Sequence, residues 1–186
     1  MTFQVPTIET ERLILRKLRR EDLPLYYSRL WSQEAVSRYM LWQPHKTPEE
    51  SAASLDKAFH RYETGEAIRF CIALKETDEL IGTIDLLRFQ WEEKSCSFAY
   101  MLGESFWGKG YGTEALLAAL GYAFEVLDME SVTADHFADN PASGAAMAKA
   151  GMVCQRTLAA HYEKNGTLHD AVEYRITKAQ WDARKE

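Results

Sequence analysis

The spacing of apolar and polar positions changes several times along the chain, and each change marks an element. Residues 9–18, Glu-Thr-Glu-Arg-Leu-Ile-Leu-Arg-Lys-Leu, alternate as a strand does. Leu23, Tyr26, Tyr27 and Leu30 recur at helical spacing and predict a helix over 21–31. A second helix has a marked start: Thr47 as N-cap, Pro48 in the first turn and Glu50 closing a capping box. Leu55, Ala58, Phe59 and Tyr62 give it an apolar face, and Gly65 ends it. Strand patterns return over 67–75, 80–90 and 95–102, with turns at Thr77-Asp78 and Glu92-Glu93-Lys94, which predicts a meander. Leu116, Leu120, Phe124 and Leu127 mark a helix over 113–127, followed by a strand over 131–137 and a short helix over 141–150. Strands near 152–159 and 168–176 meet at Asn165-Gly166, a strong hairpin turn, and a helical turn follows Thr177. This order predicts a mixed α/β fold in a single domain over 1–186, with helices packed on a mixed sheet. The strand at 95–102, the helix at 113–127 and the strand at 131–137 form its one parallel crossover, expected to be right-handed.

Composition narrows the function classes. A chain of 186 residues with 46% hydrophobic and 27% charged positions can bury a substantial core. No apolar run approaches the ~18–20 residues of a membrane span. The first residues, Met-Thr-Phe-Gln-Val-Pro, lack the basic and apolar regions of a signal peptide. A net charge of -6 argues against nucleic-acid and anionic-membrane partners. Cys71, Cys96 and Cys154 lie far apart in apolar stretches, with no metal-ligand spacing. They read as buried free thiols of a reducing, cytoplasmic compartment.

The chemistry concentrates in Trp107-Gly108-Lys109-Gly110-Tyr111-Gly112-Thr113-Glu114-Ala115. Three alternating glycines follow a strand and open a helix. Glycine permits backbone angles that turn successive N–H groups into one concavity, and the helix adds its positive end. The segment therefore reads as a phosphate or pyrophosphate site, against the alternative of a flexible turn without a ligand. Lys109 is followed by glycine rather than Ser or Thr, so a Walker A loop fails. Thr113 occupies the third glycine position of a dinucleotide fingerprint, and three strands precede the turn, so that reading is weak.

These residues resemble the GNAT acetyltransferase superfamily, in particular its RimJ/RimL-like branch. Trp107-Gly108-Lys109-Gly110-Tyr111 is similar to the branch's cofactor turn, although Trp107 stands where the wider superfamily has Arg or Gln. Thr10-Glu11-Arg12-Leu13-Ile14-Leu15-Arg16 resembles its first strand. Asn140-Pro141-Ala142-Ser143, with Lys149-Ala150-Gly151-Met152, resembles its second cofactor segment. The resemblance implies a central, mostly antiparallel sheet with two splayed parallel strands and flanking helices. It implies transfer of an acetyl group from acetyl-coenzyme A to a primary amine by direct attack in a ternary complex, without a metal. The acceptor is then a protein N-terminal α-amine or a small-molecule amine, and the protein a monomer or homodimer.

The resemblance also assigns roles. The backbone of Gly108, Lys109, Gly110, Tyr111, Gly112 and Thr113 would hold the pyrophosphate. Lys109 either adds charge at the rim or is simply solvated. Tyr100, Met101 and Leu102 would border the pantetheine arm where the strands splay. Asn140 reads as an N-cap or as a partner of the cofactor's amide arm. Many members of the superfamily use a tyrosine acid in the short helix where this chain has Met147, which leaves Ser143 as the candidate proton donor to sulfur, against an ordinary helix-start serine. Ser97 stands where the branch often has a glutamate, with Ala99 before Tyr100 in place of its glycine, which leaves Asp85 as candidate base, against a structural carboxylate. His136 has a suitable intrinsic pKa but sits where structural histidines are common. Trp31, Tyr39 and Trp42, with His45, would frame the amine or form the core beneath the first helices. Two rival readings remain: a catalytically inactive acyl-coenzyme A-binding regulatory module, and a nucleotide-binding regulatory domain.

Overall fold

The computed structural model describes residues 4–184, so the first three residues of the amino-terminal stretch read above lie outside it. The expected first strand is two: β1 (Ile8–Glu9) and β2 (Leu13–Lys17) fold back on each other. Thr10 N–H donates to the Leu13 carbonyl at 3.0 Å, and this turn breaks the alternation. Residues 20–31 are helical, as expected, but change pitch. A 3-10 turn (Arg20–Asp22) leads into α1 (Leu23–Leu25) and then a π turn (Tyr26–Trp31). A four-residue helix, α2 (Glu34–Ser37), follows without having been foreseen. Helix α3 (Pro48–Thr64) starts and stops where expected, with Gly65 left-handed at φ 72°. Its capping box does not form. The Thr47 side chain makes no cap bond, and the Glu50 carboxylate accepts instead from the Lys46 N–H at 2.8 Å.

The meander is β3 (Ala67–Leu74), β4 (Leu80–Gln90) and β5 (Ser95–Leu102). Helix α4 (Tyr111–Gly121) starts two residues earlier than expected, directly on the glycine turn, and runs on through a π turn (Tyr122–Val126). Next come β6 (Ser131–Phe137) and α5 (Pro141–Lys149). The final strands, β7 (Val153–Lys164) and β8 (Thr167–Thr177), are longer than the pattern suggested. Asn165 at φ 54° and Gly166 at φ 75° form the expected turn between them. A short α6 (Lys178–Asp182) is capped by Thr177.

The strands form one sheet in the order β1-β2-β3-β4-β5-β6-β8-β7, antiparallel except for β5 with β6. Period-two alternation splits the core in two. Ile68, Phe70 and Ile72 of β3 pack with Leu116, Ala119 and Leu120 of α4 on one face. Cys71 and Ala73 of the same strand pack with Tyr26, Leu30, Leu55 and Ala58 on the other. Two cysteines are buried, as expected, and burial pushes the Cys96 thiol up to about 12. Cys154 is exposed: it lies on the edge strand β7, whose outer side no element covers.

The decisive feature is local. Strands β5 and β6 pair from Ser95 with Ser131 to Phe98 with Ala134, and pairing stops there. Residues 99–102 continue beside β4 alone. A wedge therefore opens between the two parallel strands, lined by Asn140 and Ser143 at the start of α5, and Gly112 at the start of α4 lies against Tyr100 and Leu102.

Candidate active site

The glycine turn is shaped by its own backbone and by a clamp from the first hairpin. Gly108 and Gly110 have φ of 71° and 84°, angles an L side chain rarely adopts. A Cβ on Gly108 would meet nothing within 4 Å, so the space in front of it is open. Among the described residues no acceptor is found for the backbone N–H groups of 108–113. They are the orphan donors of a helix start, at the positive end of its dipole. These are the properties a bound diphosphate requires, and they fit one.

The clamp comes from the Thr10–Arg12 turn. Glu114 Oε1 accepts from Thr10 Oγ1 at 2.6 Å and from the Arg12 N–H at 2.8 Å, while Oε2 accepts from Arg12 Nε at 2.7 Å. Arg12 Nη1 also donates to the Lys109 carbonyl at 3.0 Å, and its guanidinium lies 4.6 Å over the Tyr111 ring. Burial works against the Glu114 charge, but the Thr10 and Arg12 bonds outweigh it and hold the carboxyl below 4.5. Trp107 ties the other end: its Nε1 donates to the Leu102 carbonyl at 2.8 Å, joining the turn to the end of β5. The Lys109 ammonium sits 5.7 Å over the Phe106 ring, at the rim.

A cavity of 410 Å³ fills the wedge. Tyr100 and Met101 line it from β5, and Asn140, Ser143 and Met147 from α5 and its cap. Asn140 Oδ1 accepts from the Ser143 N–H at 3.4 Å, so it does serve as N-cap while facing the cavity. Ser143 Oγ shares a hydrogen bond of 3.0 Å with the Tyr100 phenol. Burial raises the Tyr100 pKa, and the Ser143 bond opposes it. Strand spacing alone did not show this pair, because its members are 43 residues apart.

Asp85 lines the cavity, but the structure gives it a partner that the sequence reading lacked. Arg69, its neighbour across β3 and β4, donates to both its oxygens at 2.6 Å. Arg69 also donates to the Tyr26 phenol at 2.9 Å. Both Asp85 oxygens are thus held by one guanidinium in a paired, charge-assisted contact. A second carboxylate was missed. Asp135 on β6 sits one residue beyond the last β5 pairing and lines the same cavity. The Tyr162 hydroxyl donates to its Oδ1, and Arg88 Nη1 lies 3.7 Å from its Oδ2. Burial raises its pKa. In the sequence Asp135 reads only as the polar phase of an alternating strand. His136 is buried, and its Nδ1–H donates to the Phe137 carbonyl at 2.7 Å, a structural bond.

Trp31, Tyr39 and Trp42 all line the cavity. Trp31 stacks on His45 at 4.5 Å and lies 4.3 Å from Trp42, centroid to centroid. Its indole N–H is buried without a partner among the described residues. Part of this wall is braced from the final hairpin: the Lys164 ammonium donates to the carbonyls of Ser37, Arg38 and Met40. Trp31 and Trp42 are thus both core and cavity wall, and Tyr39 is cavity wall.

The sequence pattern of the acetyltransferase (GNAT) domain matches residues 12–153. The chain belongs to the GNAT acetyltransferase family. An uncharacterised N-acetyltransferase of Bacillus subtilis is 28% identical over 173 residues, which is 93% of this chain and 97% of that protein. The ribosomal protein uS5-alanine N-acetyltransferase of Escherichia coli is 26% identical, over 94% of this chain and 85% of that protein. Relatives of the RimJ/RimL-like kind are therefore present at low identity. The crystal structure of spermidine N-acetyltransferase from Vibrio cholerae, solved with CoA and spermine, superposes with a TM-score of 0.80 at 22% identity. It covers 92% of this chain and 99% of that one, and the likeness shows the shared GNAT fold. No helix among the described residues is long and apolar enough to cross a membrane. Nor do these residues group three or more His, Cys, Asp or Glu as a metal could require.

Proposed function

We propose that the protein transfers an acetyl group from acetyl-coenzyme A to a primary amine by direct attack within a ternary complex. The observation that carries this reading is the row of unsatisfied N–H groups at 108–113, whose Gly112 lies against Tyr100 and Leu102 at the end of β5 that does not pair with β6. The GNAT relative solved with CoA and spermine supports the same pair of substrates. Bound acetyl-coenzyme A would supply an acetyl carbonyl whose C–S bond breaks as the amine's N–C bond forms.

The chain supplies the rest. The N–H groups of Gly108 to Thr113 hold the diphosphate, with Lys109 at the rim. Tyr100, Met101, Leu102 and Asn140 border the pantetheine arm. The Ser143 hydroxyl donates a proton to the departing sulfur and takes one from the Tyr100 phenol bonded to it, and Tyr100 is reprotonated by water entering the cavity. This pair fills the place that Met147 leaves without an acid. Asp135 rather than Asp85 accepts the amine's proton, because Arg69 occupies both Asp85 oxygens. A carboxylate whose pKa is raised by burial is the better base of the two. Trp31, Tyr39 and Trp42 frame the amine. The test is thiol release from acetyl-coenzyme A over a panel of amines, with acetyl-coenzyme A binding measured beside it. Release that depends on an amine supports the transferase. Tight binding with no release over N-terminal peptides, amino acids, polyamines and aminoglycosides contradicts it.

A further inference from the structure

The charges around the cavity do not suit a polycation. Three arginines line it, Arg61, Arg69 and Arg88, against two aspartates, Asp85 and Asp135. Asp85 is saturated by Arg69. Asp135 is engaged by the Tyr162 hydroxyl and faces Arg88. Arg61, at the last turn of α3, has no ion-pair partner among the described residues. The mouth is therefore cationic on a chain whose net charge is -6.

The backbone is bent to produce this arrangement. Pairing of β4 with β5 shifts register between Leu87 and Gln90, and Arg88 there has φ 54°. Pairing of β7 with β8 shifts between Leu158 and Tyr162, with Ala160 at φ 49°. Such bulges re-aim side chains at the edges of sites. One presents Arg88 and the other Tyr162, both to Asp135. A left-handed arginine and alanine are strained, and no tight turn at these positions calls for them.

We infer that the acceptor is an amine that also carries a carboxylate, its ammonium directed at Asp135 and the aromatic wall and its carboxylate at Arg61 and Arg88. The inference rests on the transferase reading and names the acceptor class within it. A polyamine such as spermidine would meet the Arg61 guanidinium, unpaired among the described residues, and no carboxylate free of arginine.

Two measurements separate this inference from the reading beneath it. The first is calorimetric binding of α-amino acids, each beside its own amide, and of spermidine, to the full chain saturated with CoA. It needs no turnover. The expected result is acid over amide by about tenfold for at least one side chain, the size of one charge-assisted contact. Spermidine should bind more weakly than that acid. The Arg61→Gln and Arg88→Gln variants should each bring the acid-to-amide ratio toward one. Both arginines are exposed, so neither change disturbs the core. Equal binding of every acid and its amide, or spermidine as the tightest ligand, overturns the inference. The second is thiol release with the same compounds. Acid preference in turnover supports the inference, and turnover confined to amides or spermidine overturns it.

Discussion

Replacing Gly110 by Asp and, separately, by Asn isolates the charge that the proposed diphosphate would bring to the glycine turn. Gly110 has φ 84°, and a Cβ there would lie 3.3 Å from Arg12 Nη2, the far end of a flexible side chain. Asn and Asp tolerate the left-handed region better than other side chains, at a cost of about 1–2 kcal/mol. For a chain of this size that lowers Tm by roughly 2–8 °C. The Asp variant gains Arg12 as a partner, so it should be at least as stable as the Asn variant. Binding should separate them in the opposite sense. A carboxylate about 5 Å from a phosphate charge costs about 1–2 kcal/mol per charge pair at a solvent-facing site. Arg12 offsets part of this, which leaves about a tenfold loss of acetyl-coenzyme A affinity for Asp beyond that for Asn. Calorimetry on the wild type and both variants measures it. The gap should narrow as salt shortens the Debye length from about 10 Å at ~0.1 M toward about 3 Å at ~1 M. Asp and Asn variants of equal affinity at low salt would refute the assignment of the diphosphate to this turn.

Other expectations are as direct. Ser143→Ala should lower kcat by about 10²-fold, the usual contribution of a positioned acid, with Tyr100→Phe acting in the same direction; unchanged kcat in both would remove the pair from the proton path. Asp85→Asn strips a nearly buried arginine of its partner and should cost about 3–5 kcal/mol in chemical denaturation. A loss under 1 kcal/mol would show that Arg69 reaches solvent. Glu114 has a carboxyl held below 4.5, so its stabilisation is present above that pH and disappears as pH falls through the folded value. Glu114→Gln should therefore be less stable than wild type at pH 7, with the gap closing on acidification. A gap constant with pH would mean that the clamp does not depend on the charge.

Much of the fold was legible because period and punctuation agree along most of the chain. The meander, the Asn165-Gly166 hairpin and the parallel crossover all follow from local signals. The misses are places where a local rule had a competitor. Thr10 closes a turn inside an alternating run, and Glu50 prefers the Lys46 N–H to the helix start. Helix α2 is too short to show a period. The glycine turn could be read as a candidate site because its backbone angles demand glycine in sequence. The proposed catalytic groups could not, because their meaning lies in pairs. Asp85 looks free until β3 and β4 are put in register and Arg69 lies opposite. Tyr100 and Ser143 meet only because β5 stops pairing with β6, and Asp135 gains importance at the same parting.

The central claim is that this wedge binds acetyl-coenzyme A and delivers its acetyl group to an amine. Acetyl-coenzyme A binding and amine-dependent thiol release, measured together on the wild type and on Gly110→Asp, test it most directly. The account predicts binding and release in the wild type and a loss of binding in the variant whose fold persists. Absence of acetyl-coenzyme A binding by the folded wild type would contradict it.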